Sequence, residues 1–493
     1  MKKQAVNPFL PVNEYIPDGE PHVFGDRVYL IGSHDAERGD TFCMLPYQFY
    51  SAPVDDLSNW TSHGVSYDAQ QDPLSRGGQS YLYAPDVVQG NDGRYYLYYC
   101  LSGAKGRGGY ANPVSVAVCD TPDGKYKFLG HVRNPDGTFY RRFVPFDPAV
   151  INDNGVIRLY YGTLYPFENL RNALTGRLAD SIMMKIFNRT REELHAEPGG
   201  IMGPVTVTLA DDMLTVNSEP KRIAPPVSKG TLWEKHPFFE GSSIRKIGDT
   251  YYFIYSSWLN HELCYATSHS PDRDFIFRGT IVSNGDIGYQ GRKAKDRLNA
   301  TGTTHGSIEC INGQWYVFYH SVTHGSDYSR QACAEPITIE PDGTIPQVEI
   351  SSCGLNNAPL MAEGSYPAVI CCNLTNGKMP HGSNKKVGKP IPCVFSDEKD
   401  QFIHLVTGGT WIGYKYFSFK GPKRLHVTLR GEAEGSLIVS DRLGGATLAV
   451  IPVSASKNWH SVCQNVPFGY GKSALFLCYQ GTGALDVLNF SFN

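Results

Sequence analysis

Five titratable side chains recur at one place in a repeated local pattern. The segments HVFGDRVYLIGS (22–33), VVQGNDGRYYLYYC (87–100), AVINDNGVIRLYYG (149–162), SIRKIGDTYYFIYS (243–256) and SIECINGQWYVFYH (307–320) each read as strand, glycine-containing turn and aromatic strand. Aligned on Tyr29, Tyr96, Arg158, Tyr252 and Tyr316, they are preceded by Asp18, Asp86, Asp147, Glu240 and His305, ten to twelve residues upstream in every case. A lone aspartate near a turn is usually a turn cap. Five aligned instances weaken that explanation, because carboxylates gathered around one axis repel one another and are costly to desolvate. What such a cluster can do is move protons: one carboxyl protonated and donating, another ionised and accepting.

The elements that must hold these residues follow from the spacing. The aligned positions are 67, 62, 94 and 64 residues apart, enough for four strands and their turns per repeat. The predicted architecture is all-β: a five-bladed β-propeller over residues 1–345, whose inner strands bring the five upstream residues to one funnel. A pair of β-sandwiches is the less economical alternative, since sandwiches do not require one hairpin to recur at near-constant period. The long interval carries about 30 extra residues, and apolar spacing over 173–197 is compatible with a helix lying over one face; disordered decoration accounts for it equally well. From 346 the texture changes to Gly, Pro, Ser and Asn, with 379–390 reading as an exposed loop. From 401 seven short alternating strands predict a β-sandwich.

Composition excludes several classes. A net charge of −3 and pI near 6.6 give no electrostatic case for nucleic acid or an anionic membrane. No 18-residue apolar run predicts a membrane span, and the N-terminus lacks the apolar core of a secretory signal, so a cytoplasmic location is expected unless a signal has been lost. Twelve cysteines without metal-like pairing read as free thiols in a reducing compartment. Oligomeric state is not legible.

These motifs resemble glycoside hydrolase family 43, five-bladed propeller enzymes that remove pentoses from plant polysaccharides. NPFLPVNEYIPDGEPHVFGDRVYLIGSHD resembles the family's first blade, with PDGE where the family more often has ADP. YAPDV, FDPAVINDNGVIRLYYG, FFEGSSIRKIGDTYYFIYSS and THGSIECINGQWYVFYH resemble its later motifs in the correct order. The resemblance implies Asp18 as general base, Asp147 as the residue tuning the acid's pKa, and Glu240 as general acid. The local residues agree: Glu240 lies in an aromatic run that would keep it protonated, whereas Asp18, beside Gly19 and read as exposed at a turn, would stay ionised. Inversion requires these two carboxyls about 6.5–9.5 Å apart, with a water between base and sugar.

His34, Asp35 and Arg330 sit where the family often places sugar contacts. Asp86 reads as a substrate contact or an inner-strand cap. His305 reads as a core histidine or a ligand of the axial Ca²⁺ often found in the family; one histidine is too little for zinc, and no cofactor is expected for the chemistry. The C-terminal part, with GTWIGYKYFSFKG, is similar to the β-sandwich of family 6 carbohydrate-binding modules, acting either as sugar binder or as a structural lid. The expected activity is an inverting exo-α-L-arabinofuranosidase acting on arabinan or arabinoxylan oligosaccharides. The alternatives are a β-xylosidase and, in a different class, a non-catalytic sugar-binding propeller.

Overall fold

The computed structural model describes residues 4–76, 79–164, 176–382 and 390–493. The propeller is present. Blade one is β1 (Glu20–Phe24), β2 (Arg27–Ile31), β3 (Tyr47–Pro53) and β4 (Thr61–Tyr67); blade two is β5 (Leu82–Gln89), β6 (Tyr95–Leu101), β7 (Ser115–Cys119) and β8 (Lys127–His131). Blade three is β9 (Ala149–Asp153), β10 (Val156–Tyr161), β11 (Val205–Leu209) and β12 (Lys221–Arg222). Blade four is β13 (Phe238–Ile247), β14 (Thr250–Ser257), β15 (Glu262–Ser268) and β16 (Ile276–Ser283), and blade five is β17 (Ser307–Ile311), β18 (Gln314–Val322) and β19 (Arg330–Ile337).

The first strands β1, β5, β9, β13 and β17 pack against one another in turn, and β17 returns to β1 to close the ring. The N-terminal segment completes the three-stranded fifth blade. Phe9 N–H donates to Ala332 O (3.3 Å), and the Asn7 side chain both donates to Ala334 O (2.8 Å) and accepts from Ala334 N (3.0 Å). Alternation along each strand sends apolar residues to both blade faces, so the core lies between blades. Tyr47, Tyr67 and Tyr99 fill the seam between blades one and two, and Ile254, Ile308 and Val317 that between four and five.

The inserted stretch folds as α1 (Gly176–Phe187) and α2 (Arg191–Leu194), the latter started by a Thr190–Glu193 capping box. Met183 and Phe187, one turn apart on α1, join the core of blades two to four, so this part is a packed excursion rather than loose decoration. Residues 173–175 of the predicted helix lie outside the described residues.

The C-terminal part, from 346, is sheet-rich, as expected, but its strands differ from those predicted. They are β20 (Leu360–Met361), β21 (Gly364–Pro367), β22 (Asn373–Thr375), β23 (Cys393–Ser396), β24 (Gln401–Thr407), β25 (Trp411–Lys420), β26 (Lys423–Ser440), β27 (Ala449–Val453), β28 (Ser456–Val466) and β29 (Tyr470–Phe492). Four predicted strands are two long ones, β26 and β29, paired from Leu425–Phe492 to Ser440–Phe476. Glycines permit this: a Cβ at Gly431 or Gly435 would lie 2.4 or 2.2 Å from the partner strand's carbonyl oxygens, so the ribbon bends there without breaking. The sequence reading passed over β28, because it is mostly solvent-facing and lacks an apolar face to betray it. Of the predicted loop 379–390, residues 383–389 lie outside the described residues.

Candidate active site

The hairpin registers show which axial residues share a layer. His22 pairs with Tyr29, Ile151 with Arg158 and Glu309 with Tyr316; counting back four residues gives Asp18, Asp147 and His305. In blade four, Arg245 pairs with Tyr252, and four back is Gly241, not Glu240. One extra residue between the Glu240–Ser256 and Ser243–Ile254 pairs forms a β-bulge, with Gly241 at φ +70°, and the bulge aims Glu240 inward. Blade two differs. Its hairpin loop spans 90–94, whereas the other four have two-residue turns, so Val88 pairs with Tyr96 and the position four back is Ala84. Asp86 therefore lies one layer deeper, level with Glu20 of blade one.

The upper layer opens into a cavity of about 340 Å³ lined by Asp18, Asp147, Glu240, His305 and Arg330, with Phe42, Tyr83, Tyr110 and Phe146 as aromatic walls. This is the small end of the range for ligand sites, about 300–1,000 Å³, and suits a terminal sugar unit. Ala84, Cys43, Thr303 and Thr304 are also part of the lining.

Asp18 is not exposed, contrary to the sequence reading; it is 6% accessible and held at φ +57°. It stays ionised for another reason. Burial alone would raise its pKa, but the adjacent Arg330 guanidinium outweighs burial and holds it at about 2. Arg330 Nη1 donates to Asp18 Oδ1 (2.9 Å), while its Nε and Nη2 fork onto Asp35 (2.8 and 3.0 Å). Its guanidinium lies over Phe42, 4.7 Å from the ring centroid. Asp35 also accepts from Cys43 N (2.9 Å). Asp35 thus stands behind Arg330, outside the cavity lining, and orients it.

His320, which the sequence reading missed, fixes the backbone of Asp18. Asp18 N–H donates to His320 Nδ1 (3.1 Å), so the proton of the neutral ring is on Nε2, which donates to Thr303 O (2.8 Å). Burial and Arg330 press its pKa down to about 3, which keeps the ring neutral.

Across the cavity the balance reverses. Glu240 is half-buried, and desolvation with the Asp18 charge pushes its pKa up to about 8. Asp147, at φ +45°, is raised well above the carboxylate range by burial, Glu240 and Asp18, although Gly241 N–H donates to it (3.0 Å). Two adjoining carboxyls that both resist ionisation retain a proton at neutral pH. The site therefore holds an ionised carboxylate on an arginine opposite a protonated carboxyl pair, which is the equipment for acid–base hydrolysis of a glycosidic bond.

In the deeper layer, Asp86 accepts from His22 Nε2 (2.6 Å), Val87 N (2.7 Å) and Val150 N (2.7 Å), tying blades one, two and three together; it does not line the cavity. Glu20, also missed, accepts from Ser243 Oγ and Arg245 Nη2 (both 3.1 Å). Among the described residues its Oε1 has no hydrogen-bond partner, and neither has His305 Nε2, 4.0 Å away. His34 is likewise off the cavity lining, with Nδ1 at 2.9 Å from Pro46 O and Nε2 at 3.7 Å from Glu14.

The family model for glycosyl hydrolases family 43 matches residues 7–345. A xylosidase/arabinosidase of Thermoclostridium stercorarium is 42% identical over 506 aligned residues, covering 100% of this chain and 99% of that protein. A xylosidase/arabinosidase of Bacteroides ovatus is 29% identical, covering 69% of this chain and 97% of its own length. Among solved structures, a family 43 arabinoxylan arabinofuranohydrolase from Bacillus subtilis, in complex with cellotetraose, has the same fold over 99% of this chain and 97% of its own, with TM-score 0.50 and 19% identity. A β-xylosidase/α-arabinofuranosidase from a compost metagenome, in complex with xylotriose and calcium-free, covers 69% of this chain and 96% of its own at 27% identity and TM-score 0.51.

Proposed function

We propose, from the premise that this chain belongs to glycosyl hydrolase family 43, that it is an exo-acting, inverting hydrolase releasing terminal α-L-arabinofuranose from arabinan or arabinoxylan oligosaccharides. The observation carrying this reading is the polarised cavity, with Asp18 ionised on Arg330 facing the protonated Glu240–Asp147 pair. Glu240 donates its proton to the leaving oxygen as the glycosidic bond breaks. Asp18 accepts a proton from the water that attacks the opposite face of the sugar. Asp147, which accepts from Gly241 N–H beside Glu240, shares with it the proton that the pair retains. Release of terminal β-D-xylose is the second reading, favoured by the relatives named xylosidase/arabinosidase.

An axial ion fits the deeper layer. Glu20 Oε1 and His305 Nε2 are buried, unpartnered and mutually facing, and they offer a carboxylate oxygen and an imidazole nitrogen to a Ca²⁺ whose other ligands would be water. Such an ion would supply fixed positive charge below the cavity, and the proton transfers would remain with Asp18 and Glu240.

Purified protein is assayed on 4-nitrophenyl α-L-arabinofuranoside and β-D-xyloside, with proton NMR of the first-formed anomer. Turnover of the arabinofuranoside with an inverted anomer is expected. No release from either substrate would favour a sugar-binding protein, and a retained anomer would remove Asp18 as base.

A further inference from the structure

The loop that floors the cavity is held by the C-terminal part of the chain. Residues 284–305 run from the end of β16 to His305, and the C-terminal part fastens them at several points: single hydrogen bonds from Gln347 Nε2 to Ile287 O and from Leu374 N to Leu298 O (both 2.9 Å), and two clusters of bonds. At the first, Asp286, 1% accessible, accepts from Ile350 N (2.8 Å), Lys415 Nζ (3.0 Å) and Asn373 Nδ2 (3.2 Å). At the second, Thr301 N donates to Pro380 O (3.0 Å), Gly382 N donates to Thr301 O (2.6 Å), and Thr301 Oγ1 shares a hydrogen bond with His381 Nδ1 (3.0 Å). Thr301 is fully buried by this clamp.

Two residues beyond Thr301 is Thr303, whose carbonyl accepts the His320 Nε2–H that leaves Nδ1 free to hold Asp18 N–H. Thr304 O is fixed from the other side by Ser256 Oγ. A short path of hydrogen bonds, joined by the backbone from Thr301 to Thr303, thus runs from the C-terminal part to the backbone of Asp18, a residue held in a left-handed conformation that its own sequence does not enforce.

We propose that His381 is a positioning residue for the catalytic base: through Thr301, Thr303 and His320 it sets where the Asp18 carboxylate stands. The inference rests on the reading of Asp18 as base. The C-terminal region is then part of the catalytic apparatus rather than an independent appendage. Asp18 must reach one water oxygen from one direction, and displacements of about 1 Å can cost up to about 100-fold in rate. Binding of the sugar ring, which rests on the cavity walls, is far less sensitive to the same displacement.

The test uses the full chain and the nitrophenyl pentoside that it hydrolyses. His381→Ala, and separately the isosteric Thr301→Val, are expected to lower kcat about tenfold with KM changed less than about twofold. The double variant should be no worse than His381→Ala alone, because Thr301→Val removes only a hydrogen bond that His381→Ala has already removed. His381→Asn, which can place an amide near Nδ1, should recover most of kcat. Thr301→Val removes only a hydroxyl and keeps the test open if His381→Ala folds poorly. Unchanged kcat in both variants, additive losses, or a loss that asparagine does not recover would each overturn the proposal. A wild-type enzyme inactive on both pentosides would remove the reaction itself, which is a different failure.

Discussion

Glu240→Gln separates the proton-donor role from every other role the residue could have. At about pH 7 a carboxyl titrating at about 8 is protonated roughly nine times in ten, against about three in a thousand at the ordinary 4.5. Glutamine keeps the shape and cannot transfer a proton. Hydrolysis of alkyl pentosides and oligosaccharides should therefore fall by about 10²–10⁴, while 2,4-dinitrophenyl pentosides, whose leaving group needs no proton, should lose less than about tenfold.

The same environment that keeps Glu240 protonated makes it destabilising. With a folded pKa above the unfolded one, unfolding releases a proton, so stability falls as pH rises from about 4.5 to about 8. At about pH 7 the full cost is about 3 kcal/mol; solvent reaching the half-buried carboxyl from the cavity brings this nearer 2 kcal/mol. Glu240→Gln should therefore be more stable than the parent in urea unfolding at neutral pH, with the gain vanishing toward about pH 4.5. Equal rate losses on both leaving-group classes would refute the proton-donor role. A variant no more stable than wild type at pH 7 would refute the raised pKa on which the argument stands.

Arg330→Met leaves Asp18 and Asp35 buried without their shared cation, at a cost of about 3–5 kcal/mol in unfolding free energy. The ionised Asp18 contributes stability above its unfolded pKa that is lost as pH falls through about 2. Without Arg330 its pKa rises, and the acid limb of kcat/KM should move upward; a limb that stays in place would show that Arg330 does not hold Asp18 ionised. Gly241→Ala puts a Cβ at φ +70° only 3.1 Å from the His305 ring and Ser256 Oγ, whereas Gly248→Ala at φ +58° meets open space. The first should be destabilised by about 1 kcal/mol more than the second and lose kcat as the bulge shifts; equal melting temperatures would mean that the bulge tolerates the crowding. Calcium at millimolar concentration should raise the melting temperature relative to EDTA, and Glu20→Gln should abolish the rise; a wild-type melting curve identical in calcium and EDTA would rule out the axial ion.

Much of this was legible because hairpins with Gly-Asp or Asn-Gly turns announce themselves, and their recurrence gave the propeller together with Asp18, Asp147, Glu240 and His305. Counting from the outgoing strand misplaced Asp86, because the blade-two loop is longer and slides the incoming strand by one residue. Its layer partner Glu20 was visible in principle, two residues after Asp18 and so on the same strand face. His320 carried a signal as well, a lone titratable residue closing the apolar run YVFYH. Asp35 and His34 were singled out by the family resemblance alone, and only the fold shows that Asp35 acts behind Arg330. The walls Phe42, Tyr83 and Tyr110 come from loops and strand ends whose approach to the axis no local pattern encodes. In the C-terminal part, β26 and β29 were cut short in the reading because glycine within a strand looks like a turn when its reason is the close approach of the paired strand.

The ring closes between the two ends of the propeller, and this bears on how the protein comes into being. Asp18 meets Arg330 across 312 residues of chain, and the segment carrying Asn7 and Phe9 is the edge that blade five needs. During synthesis the N-terminal edge therefore waits, unpaired, while four blades are made, and the loop-closure entropy of the whole ring falls on a single late step. Asp18 acquires its arginine in that same step. Recovery of activity on refolding should thus follow ring closure, lagging behind the secondary structure of the individual blades.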